Sequence, residues 1–369
     1  MAGHAWYELN DPDGVVSPAL LVYPDRVRHN IDEMIRVAGD AGRLRPHVKT
    51  HKCPDIVRMQ LEAGIRRFKC ATIAEAEMLA LTGAPDVLVA YPLHGPNAAR
   101  LVKLQESYPQ TRFAALVDNP SVLERLSETA VGGQTTLRLF VDLDTGMGRT
   151  GIPPGEEAFE LYRRICTTPG LEAGGLHAYD GHIRHTDLNQ RTEASDLAFE
   201  GVRNLRERLE ASGYPVPEVV AGGSPTFPVH ALRKDVQVSP GTTLLWDARY
   251  AELFPDMDFL PAAVLLCRVI SKPGPDTLCL DLGHKAIAPE MEFPRVALMG
   301  LEDCVQTGQS EEHLVLRCPS ATLEVGEVCY GIPMHICPTV AKYPELLVVE
   351  NHEITGSWNV LARDYKLNI

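Results

Sequence analysis

The sequence predicts a (β/α)8 barrel of the TIM type, followed by a mostly antiparallel β domain. Between Leu44 and about Leu245, eight short strand-like runs alternate with stretches of helical periodicity. Strands that alternate with helices predict right-handed parallel crossovers, and eight such units predict a closed barrel. After about residue 250 the helical periodicity ends, and strand-like runs separated by turns predict an antiparallel sheet. An open, doubly wound parallel sheet is the alternative for the first part.

Each predicted element follows from local periodicity. The barrel strands are predicted over 44–51, 66–72, 86–92, 112–118, 137–144, 173–181, 218–225 and 236–244, with helices over 55–64, 73–83, 97–108, 120–130, 155–166 and 195–213. The later strands are predicted over 262–270, 277–283, 295–301, 313–318, 345–354 and 356–364. An earlier apolar run, 18–23, is expected to pair with the second domain. We place the barrel at 16–247 and the β domain at 248–369 together with residues 1–15.

Composition limits the classes of partner. The net charge of −14 argues against nucleic acid and against an anionic membrane surface. The nine cysteines are scattered without a CxxC pair, which predicts a reducing compartment rather than a disulfide framework. The first fourteen residues resemble no signal peptide, and no apolar run reaches the roughly 18 residues of a membrane span. We therefore expect a cytoplasmic protein with a small-molecule substrate.

The carboxyl ends of the first and fifth predicted strands carry candidate active-site cations, because barrel enzymes place catalytic residues there. Lys49 ends the first strand, where burial and neighbouring cations would lower its pKa and make the amine a nucleophile. The alternative is a solvated surface lysine, which is the expectation for nearby Lys52. Arg149 follows the fifth strand in a glycine-rich turn, either as a fixed donor at the barrel mouth or as a solvated side chain.

The end of the sixth predicted strand combines three histidines with a tyrosine: His177, Tyr179, His182 and His185. Histidine supplies acid–base chemistry near neutral pH, or a metal ligand. Each of these histidines could instead be a hydrogen-bonded structural residue. A purely structural role for all three is the weaker interpretation.

Glycines and hydroxyl residues end the last two predicted barrel strands: Gly222, Gly223 and Ser224 after the seventh, and Gly241 and Thr242 within the eighth. Backbone N–H groups and hydroxyls in such turns form a cradle for anions. Barrels often bind phosphate after strands seven and eight. The two turns together therefore predict a phosphate site.

In the β domain, His335 and Cys337 are two residues apart. In an extended segment both side chains would point the same way and could reach one ion. Imidazole and thiolate favour Zn²⁺, with water, substrate or a distant residue completing the shell. A buried cysteine beside a structural histidine is the alternative.

Taken together, these segments resemble the group of D-threonine aldolases and eukaryotic-type D-serine dehydratases. That group belongs to the alanine-racemase-like, fold type III enzymes that use pyridoxal 5′-phosphate (PLP). The most specific match is RPHVKTHKCP, and the resemblance continues over nearly the whole chain through DLDTGMGRTG, GLHAYDGHIRH, VAGGSPT, SPGTT, LDLGHKA, SEEH and PMHICPTV. It implies PLP, a divalent metal (Zn, Mn or Mg) and a homodimer in which the β domain of one subunit closes the active site of the other.

Residue by residue, the resemblance implies specific roles. Lys49 corresponds to the lysine that binds the cofactor covalently, and Arg149 to an arginine beside the cofactor's phenolic oxygen. Tyr179 corresponds to an active-site tyrosine near the cofactor, and His185 to a histidine that helps to deprotonate the substrate hydroxyl. The phosphate turns correspond to Gly222, Gly223, Ser224, Gly241 and Thr242, and the metal pair to His335 and Cys337.

The resemblance implies a lyase for β-hydroxy-D-amino acids, and favours retro-aldol cleavage to glycine and an aldehyde. The alternative is a dehydratase of D-serine or 3-hydroxy-D-aspartate, which releases a 2-oxo acid and ammonia. Cys337 resembles the dehydratases, because D-threonine aldolases carry aspartate there. Thr243 and Ala341 also depart from residues common in the group. An amino-acid racemase, a PLP-binding protein without turnover and an unrelated barrel for a sugar phosphate are further alternatives.

Overall fold

The computed structural model describes residues 5–320 and 322–369, which divide into two compact units. The barrel unit comprises Met34–Lys49, Val57–Gly241 and Asp364–Ile369. The β unit comprises Thr50–Ile56, Thr242–Arg363 and the described residues up to Glu33. The sequence placed the barrel in one continuous range, 16–247, and the β domain in two, whereas each compact unit gathers three segments.

In chain order the strands are β1 (Ala19–Val22), β2 (Arg67–Cys70), β3 (Asp86–Pro92), β4 (Arg112–Val117), β5 (Leu137–Leu143), β6 (Leu171–Ala178), β7 (Glu218–Ala221), β8 (Gln237–Val238), β9 (Ala263–Gly274), β10 (Thr277–Leu280), β11 (Val296–Leu298), β12 (Val305–Gln309), β13 (Leu314–Arg317), β14 (Val328–Pro333), β15 (Glu345–Glu350) and β16 (Glu353–Asn359). The helices are α1 (Pro24–Ala38), α2 (Pro54–Glu62), α3 (Ile73–Leu81), α4 (Pro96–Ser107), α5 (Pro120–Gly132), α6 (Glu156–Thr167), α7 (Leu188–Ala211), α8 (Phe227–Ala231), α9 (Ala248–Leu253) and α10 (Ile336–Val340).

The barrel unit contains a parallel sheet in which β2 to β8 follow one another in chain order. The predicted first strand, 44–51, is not a regular strand, and Pro46 within it has no N–H to donate to a ladder. Even so, Leu44 pairs with Val238 of β8, and His47 pairs with Lys69 of β2. The segment therefore joins the two edges of the sheet, which confirms the predicted TIM-type barrel.

Local sequence makes the turns between strands and helices short. Pro96 and Pro120 occupy the first positions of α4 and α5, where a missing N–H costs nothing. The Thr72 side chain accepts a hydrogen bond from the Glu75 N–H at 3.1 Å and so caps α3. Apolar side chains of neighbouring strands fill a cluster of the barrel core: Leu88, Ala114, Leu116, Phe140 and Val220. The carboxyl ends of the strands are thus held in fixed relative positions.

A buried ion-pair network lies at the opposite end of the barrel strands. Arg45 is fully buried and binds Asp86 at 2.5 Å and Glu218 at 3.0 Å, which are the first residues of β3 and β7. Arg138 of β5 binds Glu218 at 2.8 Å. Charges this deep are stable only when they are paired, so the network closes the barrel interior at this end.

We expect Arg45→Ala to lower the free energy of unfolding by about 3 kcal/mol, because it removes a fully buried cation and leaves the largely buried carboxylates of Asp86 and Glu218 without that partner. Urea denaturation followed by circular dichroism measures the loss. The control is Arg163→Ala, which removes a half-exposed pair with Glu160 and should change the free energy by less than about 1 kcal/mol. Equal effects of the two substitutions would contradict a structural role of the network.

The β unit is built on a mostly antiparallel sheet in the order β12-β13-β10-β9-β1-β15-β16, with β14 paired to both β9 and β11. β1 pairs antiparallel with β9 and parallel with β15, which confirms the expected pairing of 18–23 with the second domain. The sequence did not predict β12, β14, α9 or α10. β12 reads VQTGQ, in which polar residues and glycine give no apolar alternation.

Cys304 and Cys318 form one disulfide in the β unit, and the other cysteines are not disulfide-bonded. The sequence argued against a framework of several disulfides, and the one disulfide observed does not form such a framework. Among the described residues, no helix is long and apolar enough to cross a membrane. A cytoplasmic location stays a prediction.

Candidate active site

A cavity of about 360 Å³ opens in the barrel unit and brings together three of the predicted site residues. Lys49 follows the segment 44–48, Arg149 lies in the turn after β5, and Tyr179 follows β6. All three line this cavity, together with Lys69 and His177. Three motifs that are far apart in the sequence therefore meet at one place.

The ring of Tyr179 lies among three cations of this cavity. Its centroid is 4.8 Å from the Arg149 guanidinium carbon, 5.7 Å from Lys49 Nζ and 5.8 Å from Lys69 Nζ. At such distances the negative face of an aromatic ring attracts cations. Two glycines leave room for the ring, because a Cβ would lie 2.2 Å from the Tyr179 hydroxyl at Gly181 and 2.9 Å from the ring at Gly223.

Lys69, His177 and Asp142 form a buried chain of polar contacts, of which sequence reasoning had identified only His177 as a candidate. Asp142 Oδ1 lies 2.7 Å from His177 Nδ1, and His177 Nε2 lies 3.5 Å from Lys69 Nζ. Burial, and after it the nearby charge of Lys49, lower the pKa of Lys69 to about 7 against the opposing charges of Asp142 and Asp180. Burial also lowers the pKa of His177. The sequence contained one signal for Lys69 and Asp142: each is a charged residue among apolar neighbours within a strand, RFKC and LRLFVDL.

The turn after β7 contains the predicted phosphate-binding residues of the barrel unit. Gly222 has a φ of +80°, and a Cβ there would lie 2.6 Å from His230, so glycine is required. The Gly241 N–H donates to Ser224 Oγ at 3.1 Å, which brings the two predicted turns together. Thr242, the next residue, begins the segment that belongs to the β unit.

Buried side chains next to the turn after β7 form hydrogen bonds with one another and with its backbone. Asp180 accepts a hydrogen bond from Thr226 at 2.7 Å and lies 2.8 Å from His230 Nε2. Burial is the largest single influence and would raise the pKa of Asp180, but the hydrogen bonds from His230 and Thr226 and the proximity of His230 together lower it. These hydrogen bonds hold the turn in place.

The structure does not bring His185 to the Lys49 cavity. His185 is exposed and lines a second cavity of about 510 Å³ in the barrel unit, beside His182, Asp144 and Leu197. The Asp144 carboxylate there accepts N–H bonds from Gly146 and Gly148, and these bonds lower its pKa. Of the three histidines at or after the end of β6, only His177 lines the Lys49 cavity.

In the β unit, His335 and Cys337 do not lie in an extended segment, so that expectation is wrong. His335 caps α10 with extended backbone, and Cys337 lies in the first turn of that helix. His335 Nδ1 forms a hydrogen bond with Glu290, while Thr50, the residue after Lys49, lies 3.1 Å from Cys337 Sγ. Burial would lower the pKa of His335, but hydrogen bonds to Cys337 and Glu290 raise it to about 9. The two predicted donors therefore interact directly despite the helical backbone.

Comparison with known proteins agrees with this architecture. Residues 22–248 match the family described as alanine racemase, N-terminal domain. The chain belongs to the alanine racemase N-terminal domain family. Residues 262–349 match a second family, described as a putative serine dehydratase domain. In this member of the alanine racemase N-terminal domain family, the residues that match the putative serine dehydratase domain lie within the β unit.

Named relatives of this family member cover nearly its full length. It is 28% identical to a D-threonine aldolase of an Arthrobacter species over 87% of this chain and 86% of the relative. It is 24% identical to a D-threo-3-hydroxyaspartate dehydratase of a Delftia species over 94% of this chain and 97% of the relative. The crystal structure of a D-threonine aldolase from Filomicrobium marinum superposes with a TM-score of 0.89 at 26% identity, covering 95% of this chain and 96% of that chain.

Proposed function

We propose that this protein is a PLP-dependent lyase that cleaves β-hydroxy-D-amino acids to glycine and an aldehyde. The convergence of Lys49, Arg149 and Tyr179 on one cavity carries the proposal. A nucleophilic amine, a fixed cation and an aromatic ring are groups with which a protein binds and tunes this cofactor. The aldolase among the named relatives, which is similar over most of both chains, supports the same reaction type.

The residues present fit PLP. Lys49 would hold it covalently through Nζ, Arg149 would donate to its phenolic oxygen, and the Tyr179 ring would pack near it. Its phosphate would be bound by the backbone N–H groups and hydroxyls of the turn residues Gly222, Gly223, Ser224, Gly241 and Thr242. When bound, PLP supplies a sink for the electron pair of the bond that breaks at Cα.

The donor set in the β unit fits a divalent metal in part. Glu290 orients the imidazole of His335 through Nδ1, as carboxylates do behind metal-binding histidines, and Cys337 adds a soft sulfur donor. No group of three or more His, Cys, Asp or Glu suited to a metal occurs in the described part of the chain, so water or substrate would complete the shell. We propose that His335 and Cys337 hold Zn, Mn or Mg, which supplies Lewis acidity toward the substrate hydroxyl.

Dehydration is the second candidate, because Cys337 supplies a thiolate where the resemblance assigns aspartate to D-threonine aldolases. The similarity to a D-threo-3-hydroxyaspartate dehydratase over most of both chains supports it. In that reaction an amine near Cα, the position proposed for Lys49, would take the Cα proton before the hydroxyl leaves. The two reactions differ in which bond at Cα breaks first.

Product analysis distinguishes the reactions. Purified protein is incubated with PLP, Mn²⁺ or Zn²⁺ and D-threonine, with L-threonine and D-alanine as controls. Glycine with acetaldehyde supports the aldolase, and 2-oxobutanoate with ammonia supports the dehydratase. L-Alanine formed from D-alanine would favour a racemase, while cofactor absorbance without any product would favour a binding protein.

We further propose a homodimer in which the β domain of each subunit completes the partner's active site. The resemblance of the sequence to its group supports this arrangement. Light scattering after size-exclusion chromatography gives the mass in solution, and a mass equal to one 369-residue chain would contradict the dimer.

Gly181→Ala is expected to lower the affinity for PLP about fivefold. The new Cβ would displace the Tyr179 ring from its place beside Lys49 and Arg149, and such ring contacts contribute about 1 kcal/mol. Titration of the apoprotein with PLP, followed by absorbance, measures the affinity. Gly132→Ala is the control, because a Cβ there meets no atom within 4 Å, and equal affinities for both variants would contradict the placement of Tyr179.

A further inference from the structure

The Lys49 cavity contains a second lysine that the resemblance does not assign. Lys69 lies in the middle of β2, is 2% exposed and lines the cavity together with Lys49. Buried lysines usually pair with carboxylates, because an isolated ammonium is costly away from water. The Lys69 amine instead meets an imidazole, His177, and an aromatic ring, Tyr179.

His177 has a defined hydrogen-bonding role toward this amine. Asp142 lies 2.7 Å from His177 Nδ1, so the carboxylate holds the ring proton on that nitrogen. Nε2 is then an acceptor, and it faces Lys69 Nζ at 3.5 Å. Lys69 can donate one N–H to His177 and still direct its lone pair, when uncharged, into the cavity.

The surroundings of Lys69 favour an amine that changes charge near neutral pH. The charged or titratable groups around it come from the segment 44–49, from β3, from β5 with its following turn, and from β6 with its following turn: Arg45, His47, Lys49, Tyr91, Asp142, Arg149, His177, Tyr179 and Asp180. Burial and Lys49 disfavour the ammonium, while Asp142 and Asp180 favour it. The opposition leaves the pKa of Lys69 at about 7, where a group can both accept and return a proton.

His185, the histidine to which the resemblance assigns deprotonation of the substrate hydroxyl, lines a different cavity. The residues that line the Lys49 cavity do not include His185, and they include an amine with no assigned role. We propose that Lys69 is the base that removes the substrate's β-hydroxyl proton, with His177 and Asp142 as positioning residues. This inference rests on the proposed retro-aldol function.

The proton and electron balance of the step is complete within the cavity. The Lys69 lone pair forms an N–H bond with the hydroxyl proton as the O–H bond breaks. The O–H electron pair becomes the second bond of the aldehyde carbonyl as the Cα–Cβ bond breaks, and PLP, when bound, would supply the sink for the Cα–Cβ electron pair. Lys69 then holds the proton as an ammonium that donates to His177 Nε2, and it returns the proton to Cα of the glycine product.

Two substitutions separate a base from a structural residue. Lys69→Met keeps the length without the amine, and Lys69→Arg keeps a positive charge that cannot be lost. We expect kcat for D-threonine to fall at least about a hundredfold in both variants, with PLP absorbance retained. A structural cation would be rescued by arginine, and an apolar filler by methionine, so wild-type kcat in either variant overturns the proposal.

The pH dependence gives a readout apart from the variants' activity. In the wild-type holoenzyme, competitive acetylation by acetic anhydride with mass spectrometry should show Lys69 labelling that rises through about pH 7, with exposed Lys234 as the reference. Labelling that rises only above pH 9 would overturn the proposal, because the amine would then be charged at neutral pH. If wild-type enzyme cleaves no β-hydroxy-D-amino acid, the proposed function itself fails. An active wild type with an unaffected Lys69→Met variant refutes the role of Lys69 alone.

Discussion

Lys49→Ala is expected to reduce the rate of D-threonine cleavage by at least about 10³-fold and to abolish covalent retention of PLP. The amine is the nucleophile that would bind the cofactor, and removing the nucleophile of a covalent catalyst usually costs most of its rate enhancement. Borohydride reduction of the wild-type holoenzyme followed by peptide mass spectrometry should place the cofactor on the peptide that contains Lys49. Kinetics of the purified variant measures the loss of rate.

Two nearby amines provide the controls for this prediction. Lys52 follows Lys49 by three residues, and its Nζ donates to the Ala362 carbonyl in the β unit at 3.5 Å. Lys52→Ala should therefore retain the covalent cofactor. Lys69→Met should also retain the cofactor absorbance, because Lys69 would act after the cofactor has bound. Cofactor bound covalently to the Lys49→Ala protein would show that another lysine is the anchor.

Cys337→Ala is expected to remove bound divalent metal and to lower kcat/KM by about 10³-fold. A metal that acts as a Lewis acid contributes several kcal/mol to the transition state, which corresponds to a factor of this size. Metal content after dialysis is measured by elemental mass spectrometry, and kcat/KM is measured with the same samples. The two losses should occur together, because the thiolate is one of only two proposed protein ligands.

Two variants make this prediction specific. Cys337→Asp restores an anionic donor and should retain metal, whereas Cys166→Ala removes an exposed cysteine of the barrel unit and should change neither quantity. Loss of activity in Cys337→Ala with full metal content would assign the cysteine another role. Full activity after the same substitution would contradict a metal site at this pair.

The sequence predicted most of the barrel because its signals are local. β3 spans the predicted residues 86–92, and α3 begins at the predicted Ile73, where Thr72 supplies the cap. The segment 44–51 was predicted as a strand on the same periodicity, yet Pro46 prevents a regular ladder there. The segment pairs with β8, which lies almost two hundred residues later in the chain, and with β2, which lies some twenty residues later. A local sequence pattern contains no information about either pairing.

The candidate site divides in the same way. Motifs in the sequence indicated Lys49, Arg149 and Tyr179, and the fold places all three around one cavity. Among the histidines at the end of the sixth strand, the resemblance assigned the catalytic role to His185. The barrel selects His177, which lies within β6 and is buried, whereas His185 lies beyond the strand end and is exposed.

By itself, the sequence determined the alternation of strands and helices, the antiparallel second part and the motifs that carry reactive side chains. These depend on side-chain periodicity, glycine and proline, which act over a few residues. Only the tertiary structure decided that Lys69, His177 and Asp142 form one buried chain, and that His335 and Cys337 interact across a helix start rather than along a strand. The physical reason is that burial and charge proximity, which set the chemistry of an amine or an imidazole, arise only when distant segments fold together.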